Sequence, residues 1–177
     1  MVIISEHIDT PIGKMTACTT DEGVCVFDFS FRRMMPTIFA RVSKALGTSI
    51  EQGTHPHITT LRNQVNEYFT GERKEFDVPI HLLGSPFQIR VWKGLQQIAY
   101  GETRSYRGQS LFLGDEKAIR AVARANGENS LAIIIPCHRV IGERGTLVGY
   151  SGGLEAKQWL LDHERKYAGS AVQQRLF

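Results

Sequence analysis

An α+β fold is predicted for this 177-residue chain by three observations. Apolar residues alternate loosely around polar turns in the first thirty positions. Helical spacing takes over from about residue 36, and a Ser85-Pro86 pair opens a second half dominated by helices. With 42% hydrophobic residues the chain can bury a core as one domain or as two small ones. The expected organisation is an N-terminal α/β scaffold over 1–83, a helical domain over 84–168 that bears the chemistry, and a tail over 169–177.

Composition narrows the class. No apolar run approaches the ~20 residues needed to span a bilayer, and the N-terminus shows no basic segment followed by an apolar core and a cleavage site. A cytoplasmic protein with no membrane contact is expected, acting as a monomer. Cys18, Cys25 and Cys137 are an odd number with no CxxC and no Cys/His cluster at zinc spacing, which argues against a disulfide framework and a structural metal. The net charge of +3 is compatible with nucleic acid but does not demand it.

In chain order, residues 13–18 and 24–29 read as two strands around the polar turn 19–23, which makes Cys18 and Cys25 strand residues. Residues 36–46 read as a helix with Ile38, Phe39, Val42 and Leu46 on one side, and 47–56 as a loop. Ile58, Leu61, Val65 and Tyr68 follow helical spacing up to Gly71, and 76–80 could return as a strand. Nothing in this half assembles acids, bases or ligands.

The second half opens with Ser85 as N-cap and Pro86 at the first helical position, followed by the apolar stripe Phe87, Val91, Leu95 and Ile98. A short helix is expected from about Tyr106 to Leu113, then a bend at Gly114 and a second helix capped by Asp115 and running to Asn126. Two helices across a tight glycine turn resemble a helix-turn-helix. Along the second helix Ala118, Ile119, Val122 and Ala125 share one face, while Lys117, Arg120 and Arg124 share another. That basic face is either an ordinary solvated surface or a nucleic-acid contact.

Chemistry concentrates at Ile133-Ile134-Ile135-Pro136-Cys137-His138-Arg139-Val140, where an apolar run reads as a buried strand that stops at a proline. A thiol attacks only as thiolate, and at an ordinary pKa of about 8.5 little is ionised at neutral pH. His138 is the nearest group able to help. Alternatively, Cys137 is a small buried apolar residue and His138 a surface one. A final helix over about 154–167 puts Glu164 on the apolar face of Leu160 and Leu161, where a carboxylate needs a partner.

Pro-Cys-His-Arg-Val after an isoleucine run resembles the active-site signature of the O6-alkylguanine-DNA alkyltransferases, over about residues 84–167. The N-terminal half joins the resemblance only through Thr10-Pro11-Ile12-Gly13 and its general layout. The resemblance implies a ribonuclease H-like scaffold followed by a winged-helix-like DNA-binding domain with a helix-turn-helix. It also implies direct-reversal repair of double-stranded DNA containing O6-alkylguanine, and of O4-alkylthymine, by nucleotide flipping and a single irreversible transfer. Cys137 would be the alkyl acceptor, His138 the base acting through a water, and Glu164 the carboxylate that orients it. Arg120 would replace the extruded base, Tyr106 would rotate the target phosphate and bond the base, and Asn129 would brace the turn into the active site. Tyr150 and Ser151 would belong to the loop over the pocket, and Lys117 and Arg124 would meet DNA. No cofactor or metal is implied, because the lesion itself is the alkyl donor.

The chain departs from the family pattern between Tyr106 and Arg120, where the usual Leu-Ala pair and Gly-x-Pro turn are replaced by Ser110-Leu111-Phe112-Leu113-Gly114-Asp115-Glu116. Asp115 and Glu116 place negative charge beside the basic helix, so a modest duplex affinity is expected. Ser130 stands where many members have proline. The zinc-binding domain of the larger adaptive-response regulators is missing, which predicts repair without transcriptional control. Gln173-Gln174-Arg175-Leu176-Phe177, read as lying beyond the last helix, looks like a sliding-clamp peptide. Two other readings compete: a thiol hydrolase built on Cys137, His138 and Glu164, against which the basic face argues, and a non-catalytic lesion-binding protein, against which the presence of Cys137 argues.

Overall fold

The computed structural model describes residues 1–175, with side chains described through Gly169. It divides into two compact units. The first comprises Met1–Gly84 and the segment Ser130–Ile134, and the second comprises Ser85–Asn129 and Ile135–Phe177. Residues 130–134, expected in the second domain, therefore cluster with the first.

The first unit is built on a four-stranded sheet of order β3-β2-β1-β4. Its strands are β1 (Ile3–Thr10), β2 (Gly13–Thr20), β3 (Gly23–Phe29) and β4 (Ile50–Gln52). The expected pair is thus the outer part of an antiparallel meander, with Ile8 opposite Met15 and Ala17 opposite Phe27. β1 escapes sequence reading because Ser5, Glu6, His7 and Asp9 make it largely polar. Its place comes from pairing on both edges, antiparallel to β2 and parallel to β4. β4 in turn lies inside the segment expected to be a loop.

Helices α1 (Met35–Leu46) and α2 (Pro56–Phe69) complete this unit. Ile38 and Val42 of α1 pack with Ile3, Cys18 and Val26. Residues 76–80 are not a strand. The Gln64 side chain accepts from the backbone N–H groups of Asp77 and Val78, both at 3.2 Å, which removes them from any ladder, and one bridge between Val24 and Ile80 is all the pairing present. The chain passes close enough there that a Cβ at Gly23 would lie 2.8 Å from the Pro79 carbonyl, so position 23 takes glycine, at φ +148°.

In the second unit, α3 (Pro86–Leu95) starts as expected. Ser85 accepts from Gln88 N, and the Gln88 side chain accepts from Ser85 N at 2.8 Å, a full capping box. Strand β5 (Arg104–Ser105) leads into α4 (Tyr106–Phe112), which Ser105 caps through Gly108 N at 2.9 Å. Asp115 does not cap the next α-helix. It accepts from Lys117 N at 2.9 Å at the head of a 3₁₀ turn, Glu116–Ala118, and α5 (Ile119–Gly127) follows without a side-chain cap. Val122 and Ala125 of α5 are buried, whereas Lys117, Arg120 and Arg124 are exposed.

The isoleucine run is also not a strand. Leu131 bridges to Phe27, Ile134 N turns back onto Ala132 O at 2.8 Å, and Ile133 sits at φ +71°, a left-handed conformation that β-branched residues seldom adopt. Cys137–Arg139 then form a 3₁₀ turn leading into β6 (Val140–Ile141), which pairs parallel to β5. The last helix, α6, runs Leu154–Arg175, longer than expected, so most of the anticipated tail continues it as backbone. The Gln173–Phe177 motif lies outside the residues whose side chains are described, and Leu176 and Phe177 lie outside the described residues altogether.

Candidate active site

Cys137 opens its 3₁₀ turn directly after Pro136, with a half-buried thiol. Its position is set through one carbonyl: Ile135 O accepts from Cys137 N at 2.8 Å and from Asn129 Nδ2 at 3.0 Å. Asn129 thereby ties the point where the chain leaves the second unit to the point where it returns. The other two cysteines differ in kind. Burial pushes Cys18 up to about 11, and burial together with the neighbouring Cys18 pushes Cys25 up to about 12, so neither supplies a thiolate near neutrality.

His138 is fully buried, and its Nε2 lies 2.8 Å from Glu164 Oε1. Glu164, on the apolar face of α6 beside Leu160 and Leu161, receives three further hydrogen bonds. Arg139 donates through Nε at 2.8 Å and Nη2 at 2.9 Å, and Gly101 N donates at 3.3 Å. Arg139 is itself anchored by a 2.6 Å bond from Nη1 to Ile98 O. Burial alone would raise the Glu164 carboxyl. The hydrogen bond of His138 and the hydrogen bonds and charge of the Arg139 fork outweigh that and hold it well below the usual carboxylate range. Burial lowers His138 below the ordinary histidine value; Glu164 opposes this through charge and hydrogen bond, while Arg139 and Lys157 reinforce it.

The protonation pattern follows. An ionised Glu164 only accepts, so Nε2 of a neutral His138 carries the proton. Nδ1 is left with a lone pair, and it is buried with no hydrogen-bond partner among the described residues. A neutral imidazole fixed by a carboxylate, on the residue that directly follows a half-buried cysteine, supplies the orienter and base of the activated-nucleophile arrangement.

A second cluster surrounds the same thiol. Tyr106, the first residue of α4, donates from its hydroxyl to Val148 O at 3.0 Å. Lys157 of α6, only 1% exposed, donates from Nζ to the same oxygen at 3.0 Å and to Gly149 O at 3.2 Å. The Cys137 charge is felt by both: it adds to the burial that raises Tyr106 and counters the burial that lowers Lys157. Tyr150 lies with its ring centroid 6.3 Å from that of His138, and the buried Ser151 Oγ has no hydrogen-bond partner among the described residues.

Cys137, His138, Glu164, Tyr106, Asn129 and Tyr150 are thus linked by bonds, ring contact or charge. Lys117, Arg120 and Arg124 are exposed and take no part in that network. Sequence reasoning missed Arg139 and Lys157. Both were legible: Arg139 is a cation within the quoted motif when Glu164 needed a partner, and Lys157 lies seven residues before Glu164, on its face of the helix. No helix among the described residues is long and apolar enough to cross a membrane, and no group of three or more His, Cys, Asp or Glu among them could hold a metal ion.

Fold and site together define a class: a two-unit α+β protein with one half-buried thiol next in sequence to a buried histidine–glutamate pair. A family model described as 6-O-methylguanine DNA methyltransferase, ribonuclease-like domain, matches residues 3–82, and another described as the DNA binding domain of the same proteins matches residues 86–166. A methylated-DNA–protein-cysteine methyltransferase of Mycolicibacterium paratuberculosis is 52% identical over 167 residues, spanning 93% of this chain and 94% of the relative. A crystal structure of Mycobacterium tuberculosis O6-methylguanine methyltransferase superposes with a TM-score of 0.79 at 39% identity, covering 93% of this chain and 94% of that one. The structure of that bacterium's OGT in complex with DNA has the same TM-score and coverage at 38% identity. The chain belongs to the O6-methylguanine-DNA methyltransferase family.

Proposed function

We propose that this protein repairs DNA by moving a methyl or other alkyl group from O6 of guanine, and from O4 of thymine, irreversibly onto Cys137. The observation that carries this reading is the buried Glu164–His138 pair, whose Nδ1 has no hydrogen-bond partner among the described residues and whose histidine directly follows Cys137, the one cysteine of the three that is not buried. Cys137 loses its proton to His138 through a bridging water. Its sulfur then attacks the alkyl carbon, the S–C bond forming as the C–O6 bond breaks, and the guanine regains a proton. The thioether has no easy hydrolytic exit, so each molecule acts once. No methyl-donor cofactor enters the balance, since the lesion is the donor.

O6 lies near the pairing edge, so the nucleotide must leave the stack, at a cost of a few kcal/mol that is smaller for a badly paired base. Arg120 is proposed to fill the gap in the duplex, Lys117 and Arg124 to meet phosphates, Tyr106 to turn the target phosphate and bond the base, and Tyr150 and Ser151 to face the leaving oxygen. The exposed basic side of α5 and the tyrosine and lysine bonds that fix Val148 support these assignments. A thiol hydrolase with the same three residues would have no use for that basic face. The Gln173–Phe177 motif stands as a proposed sliding-clamp contact, tested by pull-down after deletion of residues 173–177.

The deciding experiment is intact-protein and peptide mass spectrometry after incubation with an oligonucleotide carrying one O6-methylguanine, for wild type and Cys137→Ala. One added methyl on the Cys137 peptide, with guanine restored, is expected. Tight lesion binding with Cys137 unmodified would point to a recognition protein instead.

A further inference from the structure

The exposed cations around α4 and α5 are of two kinds. Lys117 and Arg120 have no ion-pair or hydrogen-bond partner for their side chains among the described residues, whereas Arg107 and Arg124 are each held by a carboxylate. The two carboxylates have different tasks. Glu128 takes Arg124 Nε at 2.9 Å on one oxygen and the Gln88 amide on the other, so it ties α5 to the start of α3. Glu116 does nothing comparable: the cap of its own turn is Asp115, and its side chain serves Arg107 alone, accepting from Nε at 3.1 Å and Nη2 at 2.5 Å. Both members of this pair are more than half exposed, at 58% and 53%. Arg107 directly follows Tyr106 in the first turn of α4, and Glu116 directly precedes Lys117.

We propose that Arg107 is a phosphate-binding residue of the duplex interface held in reserve by Glu116, so that DNA binds by exchanging a backbone phosphate for the Glu116 carboxylate on one guanidinium. This rests on the duplex-binding reading above. The guanidinium fork suits carboxylate and phosphate equally, so the exchange conserves hydrogen bonds. An exposed ion pair contributes little stability, so breaking it offers little resistance. What the pair contributes is lost on binding, so Glu116 lowers affinity through Arg107 and not by its own charge on the phosphates. The pair therefore keeps Arg107 ordered in the free protein while discounting affinity for duplex in general, and the affinity that remains depends on contacts to the extruded base.

The test is equilibrium binding to undamaged duplex and to duplex containing O6-methylguanine across a salt series, for wild type, Arg107→Gln, Glu116→Gln and the double variant. Glu116→Gln should tighten binding up to about fivefold, the range spanned by an exposed ion pair. Arg107→Gln should weaken it and reduce the slope of log affinity against log salt by about one, the loss of one phosphate contact. The gain from Glu116→Gln should largely vanish once Arg107 is gone. An equal gain with and without Arg107 would mean that Glu116 acts only as a diffuse negative charge and would overturn the proposal, as would an unchanged salt slope in Arg107→Gln. If wild type binds neither duplex, the DNA reading itself falls; if wild type binds normally and only these variants fail to respond, this inference alone falls.

Discussion

Arg139 and Glu164 share two charge-assisted hydrogen bonds, at 2.8 and 2.9 Å, on the same carboxylate that holds His138. The guanidinium compensates the carboxylate, so Glu164 orients the imidazole without drawing a proton onto it. Arg139→Leu leaves a buried charge uncompensated and should cost roughly 3–5 kcal/mol of stability. The surviving fold should show His138 protonated at higher pH, because Arg139 is one of the groups that lowers it. Denaturant unfolding and NMR titration of the imidazole check both parts, and a wild-type stability would contradict the first.

Single-turnover transfer should have an acid limb below the ordinary histidine value of about 6.5. His138 acts as base only when neutral, and its folded-state value is lowered chiefly by burial. The sign for stability is the same. Below the unfolded-state value the unfolded chain binds the proton more readily, so stability declines as pH falls toward the folded value. Glu164, also lowered, adds a further loss at more acid pH, below the ordinary glutamate value. A transfer profile with its midpoint above 6.5 would show that His138 is not the neutral base.

Lys157→Met should free residues 148–151. The ammonium holds Val148 O and Gly149 O from a buried position, and hydrogen bonds to charged groups contribute about 1.5–3 kcal/mol each. Faster amide exchange confined to that loop, with slower alkyl transfer, is expected. Unchanged exchange would mean that Tyr106 alone fixes Val148.

Gly101→Ala should destabilise the second unit by roughly 2–4 kcal/mol, combining left-handed backbone strain with overpacking. Residue 101 sits at φ +81°, and an added Cβ would fall 2.6 Å from Ala168 Cβ on the helix that carries Glu164. A melting temperature equal to wild type would rule this out.

Brief iodoacetamide treatment of the native protein should label Cys137 alone, and Cys18 and Cys25 only after unfolding. Burial keeps the last two as thiols at neutral pH, and peptide mapping reads the result.

The capping box at Ser85, the helix stripes of α2 and the exposure of Lys117, Arg120 and Arg124 were legible because they depend on neighbours within one or two turns. The reading failed where a distant group set the backbone. Residues 77 and 78 gave their N–H groups to Gln64, β1 was placed by the strands on either side of it, and the isoleucine run turned at Ile133 instead of extending.

The same division holds in the site. The sequence by itself determined the proposed nucleophile and its proposed base, since Cys137 and His138 are adjacent and the motif is local. It also determined that Glu164, on an apolar helix face, required a partner. Only the tertiary structure decided that the partner is His138 and Arg139 together, that Lys157 and Tyr106 meet on one carbonyl oxygen, and that Glu116 is neutralised by Arg107. The reason is physical: hydrophobic periodicity records which face of an element is buried, but the pairing of buried and surface charges depends on which distant segments reach hydrogen-bonding distance once the chain has folded.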